Sequence, residues 1–142
     1  MDFLKLEKRL IEEGCNPRNI AIQTRGDDAY CLDKINGFWS VFYSERGRDS
    51  SPIFSTDNKE EAAEFYFKHI LKQQHWHNVG FFKNEILARN LQSKLDKLGV
   101  KYIRNDIPSY RFVGDKRYRV FVVGKDIFKV REKLGNLEAY GA

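Results

Sequence analysis

Hydrophobic and polar residues alternate along this chain with two spacings, one helical and one of two residues. The helical spacing is clearest over residues 2–13 and 58–73, and it predicts an amphipathic helix in each range. Residues 37–45 are predicted to form a β-strand, in which one face carries Phe38, Ser40, Phe42 and Ser44 and the other carries Trp39, Val41, Tyr43 and Glu45. Asn36-Gly37, at the start of that strand, predicts a tight hairpin because both residue types tolerate positive φ. The other predicted elements are strands at residues 20–22, 29–35, 53–55, 76–82, 100–104, 110–113 and 118–123, and helices at residues 84–98 and 125–134.

The order of these elements is α-β-β-β-β-α and then β-α-β-β-β-α, and no linker rich in proline or serine separates the halves. We therefore predict an α+β fold of two small lobes, at residues 1–74 and 75–142. Each lobe is expected to hold an antiparallel or mixed sheet with two helices. Many unrelated domains share this element order, so it says little about function.

The same patterns predict which side chains are buried. The helix at residues 84–98 is expected to bury a stripe of four leucines, Leu87, Leu91, Leu95 and Leu98. The inward face of the strand at residues 118–123 is expected to consist of Tyr118, Val120 and Val122. Phe121 then points outward. Residues 46–52 are expected to form a polar loop, because turn-favouring residues dominate there.

Composition places the chain among ordinary globular proteins. Of its 142 residues, 42% are apolar and 32% are charged, which supplies a core and is not typical of disorder. No apolar run approaches the ~18 residues that a membrane span needs, and the first residues lack the apolar stretch of a secretory signal. We therefore expect a cytoplasmic protein without a membrane partner. Cys15 and Cys31 are expected to be free thiols, as in a reducing compartment.

The net charge of +5 is divided unevenly along the chain. Residues 1–75 contain 11 Lys/Arg and 13 Asp/Glu, a net charge of −2. Residues 76–142 contain 14 Lys/Arg and 7 Asp/Glu, a net charge of +7. Such a change of sign affects partner choice and association rate rather than the fold.

Motifs of common enzymes are missing from the sequence. It has no Gly-x-Ser-x-Gly nucleophile motif and no complete phosphate-binding loop. His69, His75 and His77 offer one alternative, a metal-dependent enzyme. A lone His-x-His lacks the further ligand spacing that makes a zinc motif specific, and such residues more often flank a packed aromatic. We therefore expect no catalysis, no metal and no cofactor.

A nucleic-acid-binding surface is the main alternative function. Arg111, Arg117 and Arg119 alternate with aromatic residues on the strands predicted at residues 110–113 and 118–123. Arginines can bind phosphates while exposed aromatic rings stack on bases. The chain would then be a small RNA- or DNA-binding accessory protein that uses its basic second lobe.

An aromatic strand that ends in an acid, a base and a glycine is the most distinctive feature of the first lobe. The pattern is W-x-V-x-Y-x-E-R-G, then F-x-[ST]-[DE] and an Ala/aromatic helix, formed by Trp39, Val41, Tyr43, Glu45, Arg46, Gly47, Phe54, Asp57, Ala62 and Tyr66. It resembles a pattern of immunity proteins of bacterial polymorphic toxin systems, including contact-dependent growth inhibition, and it covers residues 29–70. The resemblance implies a cytoplasmic, non-enzymatic inhibitor that binds a cognate toxin domain, often a nuclease.

The residues expected to contact such a partner lie in the first lobe. They are Asp27, Asp28, Tyr43, Glu45, Arg46, Glu60, Glu61 and Glu64. Nuclease inhibitors are commonly acidic, whereas this chain is basic overall. Either the acidic first lobe faces the toxin, or the toxin surface is itself acidic, or the basic lobe contacts RNA carried by the target. The aromatic members of the pattern are equally expected to serve as core residues.

Overall fold

The structure, a computed structural model, describes residues 1–108 and 116–137. Within these ranges the chain forms four α-helices, a five-stranded mixed sheet and a three-stranded antiparallel sheet. The predicted α+β fold with two sheet lobes is confirmed. Contacts divide the chain into two compact units, Met1–His75 and Trp76–Ala142, here named the N-terminal unit and the C-terminal unit.

The N-terminal unit is built on the five-stranded sheet. Its elements are α1 (Phe3–Glu12), a 3-10 turn (Pro17–Asn19), β1 (Ile20–Ile22), β2 (Ala29–Ile35), β3 (Phe38–Glu45), β4 (Arg48–Asp49), β5 (Phe54–Thr56) and α2 (Lys59–Leu71). The sheet order is β1-β2-β3-β4, and β5 also pairs with β3. β1 is parallel to β2, and the other pairs are antiparallel. The strand β4 lies inside residues 46–52, which were predicted to form a polar loop. That prediction is therefore wrong in part.

Side-chain caps and turn residues set the limits of these elements. Asp2 begins α1 by accepting a hydrogen bond from the Lys5 amide at 2.8 Å, and Asn58 begins α2 in the same way. The hairpin between β2 and β3 turns at Asn36 and Gly37, whose φ values are 51° and 85°. Positive φ at both positions is what a two-residue hairpin requires, so the predicted turn is confirmed.

Both helices of the N-terminal unit cover one face of its sheet. The buried side chains of this layer are Phe3, Leu6, Leu10, Cys15, Leu32, Val41, Ala62, Ala63, Tyr66 and Ile70. The opposite face buries a smaller cluster of Ala21, Cys31 and Phe42. The Arg25 guanidinium lies 4.6 Å from the Phe42 ring centre and pairs with Asp33 and Asp49. The Arg25 side chain thus covers part of the sheet face opposite the two helices.

The C-terminal unit is built on the three-stranded sheet. Its elements are β6 (Trp76–Phe82), α3 (Glu85–Leu98), β7 (Ile103–Arg104), β8 (Tyr118–Val123) and α4 (Asp126–Leu134). The sheet order is β6-β8-β7. Gly99 ends α3 with φ 71°. The strand predicted at residues 100–104 is shortened to β7, and the strand predicted at 110–113 lies outside the described residues.

Two burial predictions for the C-terminal unit are wrong. Leu87 is 51% exposed, and Ala88 is buried in its place beside Leu91 and Leu95. Successive leucines four residues apart are displaced by about 40° around the helix, so Leu87 lies at one edge of the stripe that Leu91 and Leu95 form. Ala88 lies closer to the centre of the buried face. Phe121 is only 7% exposed and packs on Trp76, with ring centres 5.3 Å apart. Both faces of the central strand β8 are therefore buried at that position.

None of the helices in the described residues combines the length and the apolarity that crossing a membrane requires.

Candidate partner-binding site

Two turns of the N-terminal unit meet at one end of its sheet. The Asp27 carboxylate accepts a hydrogen bond from the Arg46 backbone amide at 2.9 Å, which joins the turn before β2 to the turn between β3 and β4. Within the turn before β2, a Cβ atom at Gly26 would lie 2.9 Å from the Ala29 side chain, so glycine permits the tight packing there. Arg46 and Gly47 both have positive φ, 51° and 76°, as the β3–β4 hairpin requires.

We name this end of the sheet the acidic corner, formed by Asp27, Asp28, Tyr43, Glu45 and Arg46. The pKa of Tyr43 is raised by partial burial and by the nearby carboxylates of Asp28, Glu45 and Asp27. These three carboxylates therefore lie close enough to Tyr43 to affect its ionisation. All of them are exposed, and no ion pair among the described residues involves any of them. The exposed carboxylates are left available to a partner, with the Arg46 cation beside them and Arg48 opposite Glu45 across the hairpin.

Two concave surfaces adjoin the acidic corner, and Tyr43 lines both. The smaller one, named here the tyrosine pocket, has a volume of about 180 Å³. Its walls are Asn19, Asp28, Ala29, Tyr30, Tyr43, Ile70, Gln73 and Gln74. The larger is an open groove of about 720 Å³ lined by Tyr43, Glu45, Arg46, Arg48, Asp49 and Ser50. Small-molecule and side-chain sites are typically concave, so these surfaces are the candidate contact region of the unit.

Packed aromatic rings hold the tyrosine pocket in place. Tyr30 pairs with Tyr43 across β2 and β3, with ring centres 5.1 Å apart. On its other side Tyr30 meets the His69 ring edge to face at 4.4 Å. Burial, and secondarily the charge of Lys72, lowers the pKa of His69, which favours the neutral ring. The tyrosine wall of the pocket therefore rests on α2.

His75 fixes the back of the tyrosine pocket. Its Nδ1 accepts a hydrogen bond from the Asn16 amide at 3.1 Å, so its Nε2 carries the proton that it donates to the Ile70 carbonyl at 2.9 Å. The Asn19 side chain also meets Nδ1 at 3.1 Å and must present its NH₂ group there. The Asn19 carbonyl oxygen is thus left as an acceptor beside the pocket, and the second N–H of the same amide as a donor.

This use of His75 bears on the alternative of a metal-dependent enzyme at the three histidines. Both ring nitrogens of His75 already bond to protein atoms. Throughout residues 1–108 and 116–137, no three His, Cys, Asp or Glu side chains form a group that could hold a metal. The geometry therefore gives His69, His75 and His77 no common ligand role.

Glu60, Glu61 and Glu64 do not join the acidic corner. They lie on the first half of α2, which begins beside Trp39 at the start of β3, with Lys59 Nζ 5.5 Å from that ring. The acidic corner lies at the other end of β3, where the second half of α2 packs. Glu64 is also engaged in an exposed ion pair with Lys68 at 3.2 Å. The eight predicted contact residues thus form at least two separate surfaces.

Sequence reasoning missed six of the eight residues that line the tyrosine pocket: Asn19, Ala29, Tyr30, Ile70, Gln73 and Gln74. One of them could have been found. A two-residue turn at Asn36-Gly37 fixes the register of β2 against β3 and sets Tyr30 opposite Tyr43. The amide residues carry no comparable signal, because they reach the pocket through the tertiary position of α2 and the 3-10 turn.

Most residues of the immunity-like pattern have structural roles. Val41, Ala62 and Tyr66 are buried in the core. Trp39 meets the Phe3 ring edge to face at 5.1 Å. Phe54 stacks on Phe65 at 4.2 Å. The exposed members of the pattern are Glu45, Arg46, Gly47 and Asp57, of which Glu45 and Arg46 are charged residues of the acidic corner.

The candidate nucleic-acid-binding arginines are partly engaged inside the C-terminal unit. Arg119 Nε donates a hydrogen bond to the Asn105 carbonyl at 2.7 Å, and its guanidinium lies 5.3 Å from the Phe121 ring centre. Arg117 donates to the Lys116 carbonyl at 2.9 Å. Arg111 lies outside the described residues. Arg119 is thus packed on its own sheet, whereas the bond given for Arg117 is an exposed one to the preceding residue.

The two cysteines are free and buried. Burial, with a smaller contribution from Glu13, raises the pKa of the Cys15 thiol to about 11. Burial likewise raises the pKa of the Cys31 thiol. Because the thiolate is the reactive species, neither environment activates a nucleophile.

Comparison with protein-family models, with curated proteins and with solved structures gave no match.

Proposed function

We propose that this protein is an immunity protein, which binds a cognate bacterial toxin domain non-covalently and neutralises it. The observation that carries the proposal is the acidic corner. Two exposed carboxylates without ion-pair partners among the described residues, Asp28 and Glu45, each line a concave surface together with Tyr43. The resemblance of residues 29–70 to the immunity-protein pattern supports the same proposal, since two of its exposed members, Glu45 and Arg46, lie at this corner.

The charge of the acidic corner favours a toxin domain that acts on nucleic acid. An enzyme that binds phosphates presents a basic surface, and an acidic inhibitor is drawn to that surface. Electrostatic complementarity of this kind raises the association rate and selects the partner. The bound immunity protein would then cover the phosphate-binding surface of the toxin domain and exclude its nucleic-acid substrate.

A second candidate function is nucleic-acid binding by the C-terminal unit. The observation that favours it is the net charge of +7 over residues 76–142. The contacts of Arg119 with Asn105 and Phe121 argue against this function, because they engage that guanidinium within the protein. We therefore rank it below toxin neutralisation.

Affinity capture followed by a growth assay tests the proposal. The tagged chain is used at physiological salt to capture partners from its native lysate, with and without nuclease treatment. We expect a protein that is retained after nuclease treatment, that arrests growth when expressed alone, and that loses this toxicity when co-expressed with the chain. Capture of nucleic acid, or loss of the bound proteins on nuclease treatment, would support the second candidate.

Growth arrest that persists despite co-expression would contradict neutralisation. The matched variant is Asp28→Asn with Glu45→Gln, which removes two charges from the acidic corner and is expected to neutralise the toxin less well than the wild-type chain. Both positions are exposed, and Asn tolerates the positive φ of Asp28, so this variant is expected to fold.

A further inference from the structure

We propose that the tyrosine pocket binds an arginine side chain of the toxin domain. This inference rests on the proposed function and assigns the chemistry of one contact within it. The group to be bound is a planar cation that a partner inserts against the wall formed by Tyr30 and Tyr43, beside Asp28.

The size of the pocket fits such a group. Its volume of about 180 Å³ is many times the ~15 Å³ that holds one water molecule. A guanidinium and the first methylenes of its stem can therefore enter. Ile70 and Ala29 supply apolar surface against which an arginine stem packs.

The walls of the pocket favour a cation. The Tyr30 and Tyr43 rings present π systems, which attract guanidinium groups. The exposed Asp28 carboxylate has no ion-pair partner in the described part of the chain, and it can accept two parallel hydrogen bonds from arginine. The tautomer of His75 leaves the Asn19 carbonyl oxygen as a further acceptor.

Other occupants fit less well. An anion would be repelled by Asp28 and by the neighbouring carboxylates of Asp27 and Glu45. A purely apolar group would leave the Asp28 carboxylate and the Asn19 oxygen without partners. A lysine would fill the space, but its ammonium is more strongly hydrated and lacks the planar face that stacks on an aromatic ring. Arginine is the side chain whose shape and charge both match.

The pocket is also preorganised. The Tyr30 carbonyl accepts a hydrogen bond from the buried Tyr66 hydroxyl at 2.8 Å. The Tyr30 ring packs on His69. His75 holds Asn16, Asn19 and Ile70 together. A site that is held in its binding shape loses less conformational entropy when a ligand enters.

The first experiment titrates N-acetyl-arginine amide into the isotopically labelled full chain and follows backbone amide shifts by NMR. The neutral isostere N-acetyl-citrulline amide is the control ligand. We expect saturable shifts at Ala29 and Gln73, with an affinity for the arginine compound at least about tenfold above that for citrulline. In Asp28→Asn we expect the arginine affinity to fall about fivefold or more. Equal shifts with both ligands, or shifts that do not include the pocket, would overturn the inference.

The second experiment separates this inference from the proposed function. The affinity of the captured toxin domain is measured for the wild-type chain, for Asp28→Asn and for the control Glu60→Gln, which removes a charge at the other end of the sheet. We expect Asp28→Asn to bind at least about tenfold more weakly and Glu60→Gln to bind within about twofold of wild type.

Equal affinities for all three chains, with toxicity still neutralised, would overturn the pocket assignment and leave the proposed function standing. If no toxin domain is captured, the proposed function fails, and the arginine titration alone decides whether the pocket binds a guanidinium.

Discussion

At the scale of single residues, Tyr66 connects the core to the site. Its hydroxyl accepts a hydrogen bond from the Ala21 amide at 2.9 Å and donates one to the Tyr30 carbonyl at 2.8 Å. Its ring is fully buried on α2, and burial raises its pKa strongly, so the hydroxyl stays protonated. One side chain thus ties the helix to the parallel strands β1 and β2 and holds the backbone of a pocket residue.

We expect Tyr66→Phe to lower the free energy of unfolding by about 1–3 kcal/mol, because a buried amide and a buried carbonyl lose their partner. Urea denaturation followed by circular dichroism measures the change. The matched control is Tyr43→Phe, whose hydroxyl makes no hydrogen bond within the described ranges; it is expected to change stability by less than about 0.5 kcal/mol. Equal stability of the Tyr66→Phe and wild-type chains would show that water or rearrangement satisfies both backbone groups.

At the scale of elements, the β3–β4 hairpin contains an unfavourable residue. Arg46 adopts φ 51°, a left-handed conformation that is energetically unfavourable for most residues other than Gly, Asn and Asp. Its amide is held by Asp27, and its side chain is exposed. Strain of this kind persists where the surrounding structure fixes the backbone, and it is frequent at functional positions.

We expect Arg46→Asn to raise the free energy of unfolding by about 0.5–1 kcal/mol, because Asn-Gly is the preferred pair for such a turn. Chemical denaturation measures the effect, and Asn36→Arg at the corresponding position of the β2–β3 hairpin is the reciprocal control, expected to lower stability. A loss of stability in Arg46→Asn would mean that the arginine side chain contributes more to the fold than its turn conformation costs.

The elements differ in how far the sequence predicts them. Turn chemistry and local periodicity are properties of neighbouring residues, which is why Asn36-Gly37 and the ranges of α1 and β3 follow from the sequence. The two-residue strand β4 is held by pairing with β3 rather than by its own composition. The burial of Phe121 depends on Trp76, 45 positions earlier in the chain, a contact that no local pattern contains.

The candidate site shows the same division. The pairing of Tyr30 with Tyr43 is implicit in the hairpin register. The separation of Glu60 and Glu61 from the acidic corner depends on the direction in which α2 crosses the sheet, which the sequence does not state. Acidic residues that look equivalent along the chain therefore lie on different surfaces in the fold.

At the scale of the whole molecule, the two units carry opposite net charges, −2 over residues 1–75 and +7 over residues 76–142. The proposed function places the partner contact on the acidic unit, and the second candidate places it on the basic one. Charge substitutions of equal size on each unit therefore separate the two. Asp28→Asn with Glu45→Gln removes two negative charges from the N-terminal unit, and Arg117→Gln with Lys129→Gln removes two positive charges from the C-terminal unit.

We expect the first double variant to slow association with the toxin domain by about tenfold and to weaken its neutralisation, because complementary charges act mainly on the association rate. The second is expected to keep the wild-type rate within about twofold, since the partner contact lies elsewhere. Surface plasmon resonance at about 50 mM and about 200 mM salt measures both. Binding to phosphates would instead weaken by orders of magnitude over this range of salt. A loss of binding in the second variant together with that steep salt dependence would move the function to the C-terminal unit and to a nucleic-acid partner.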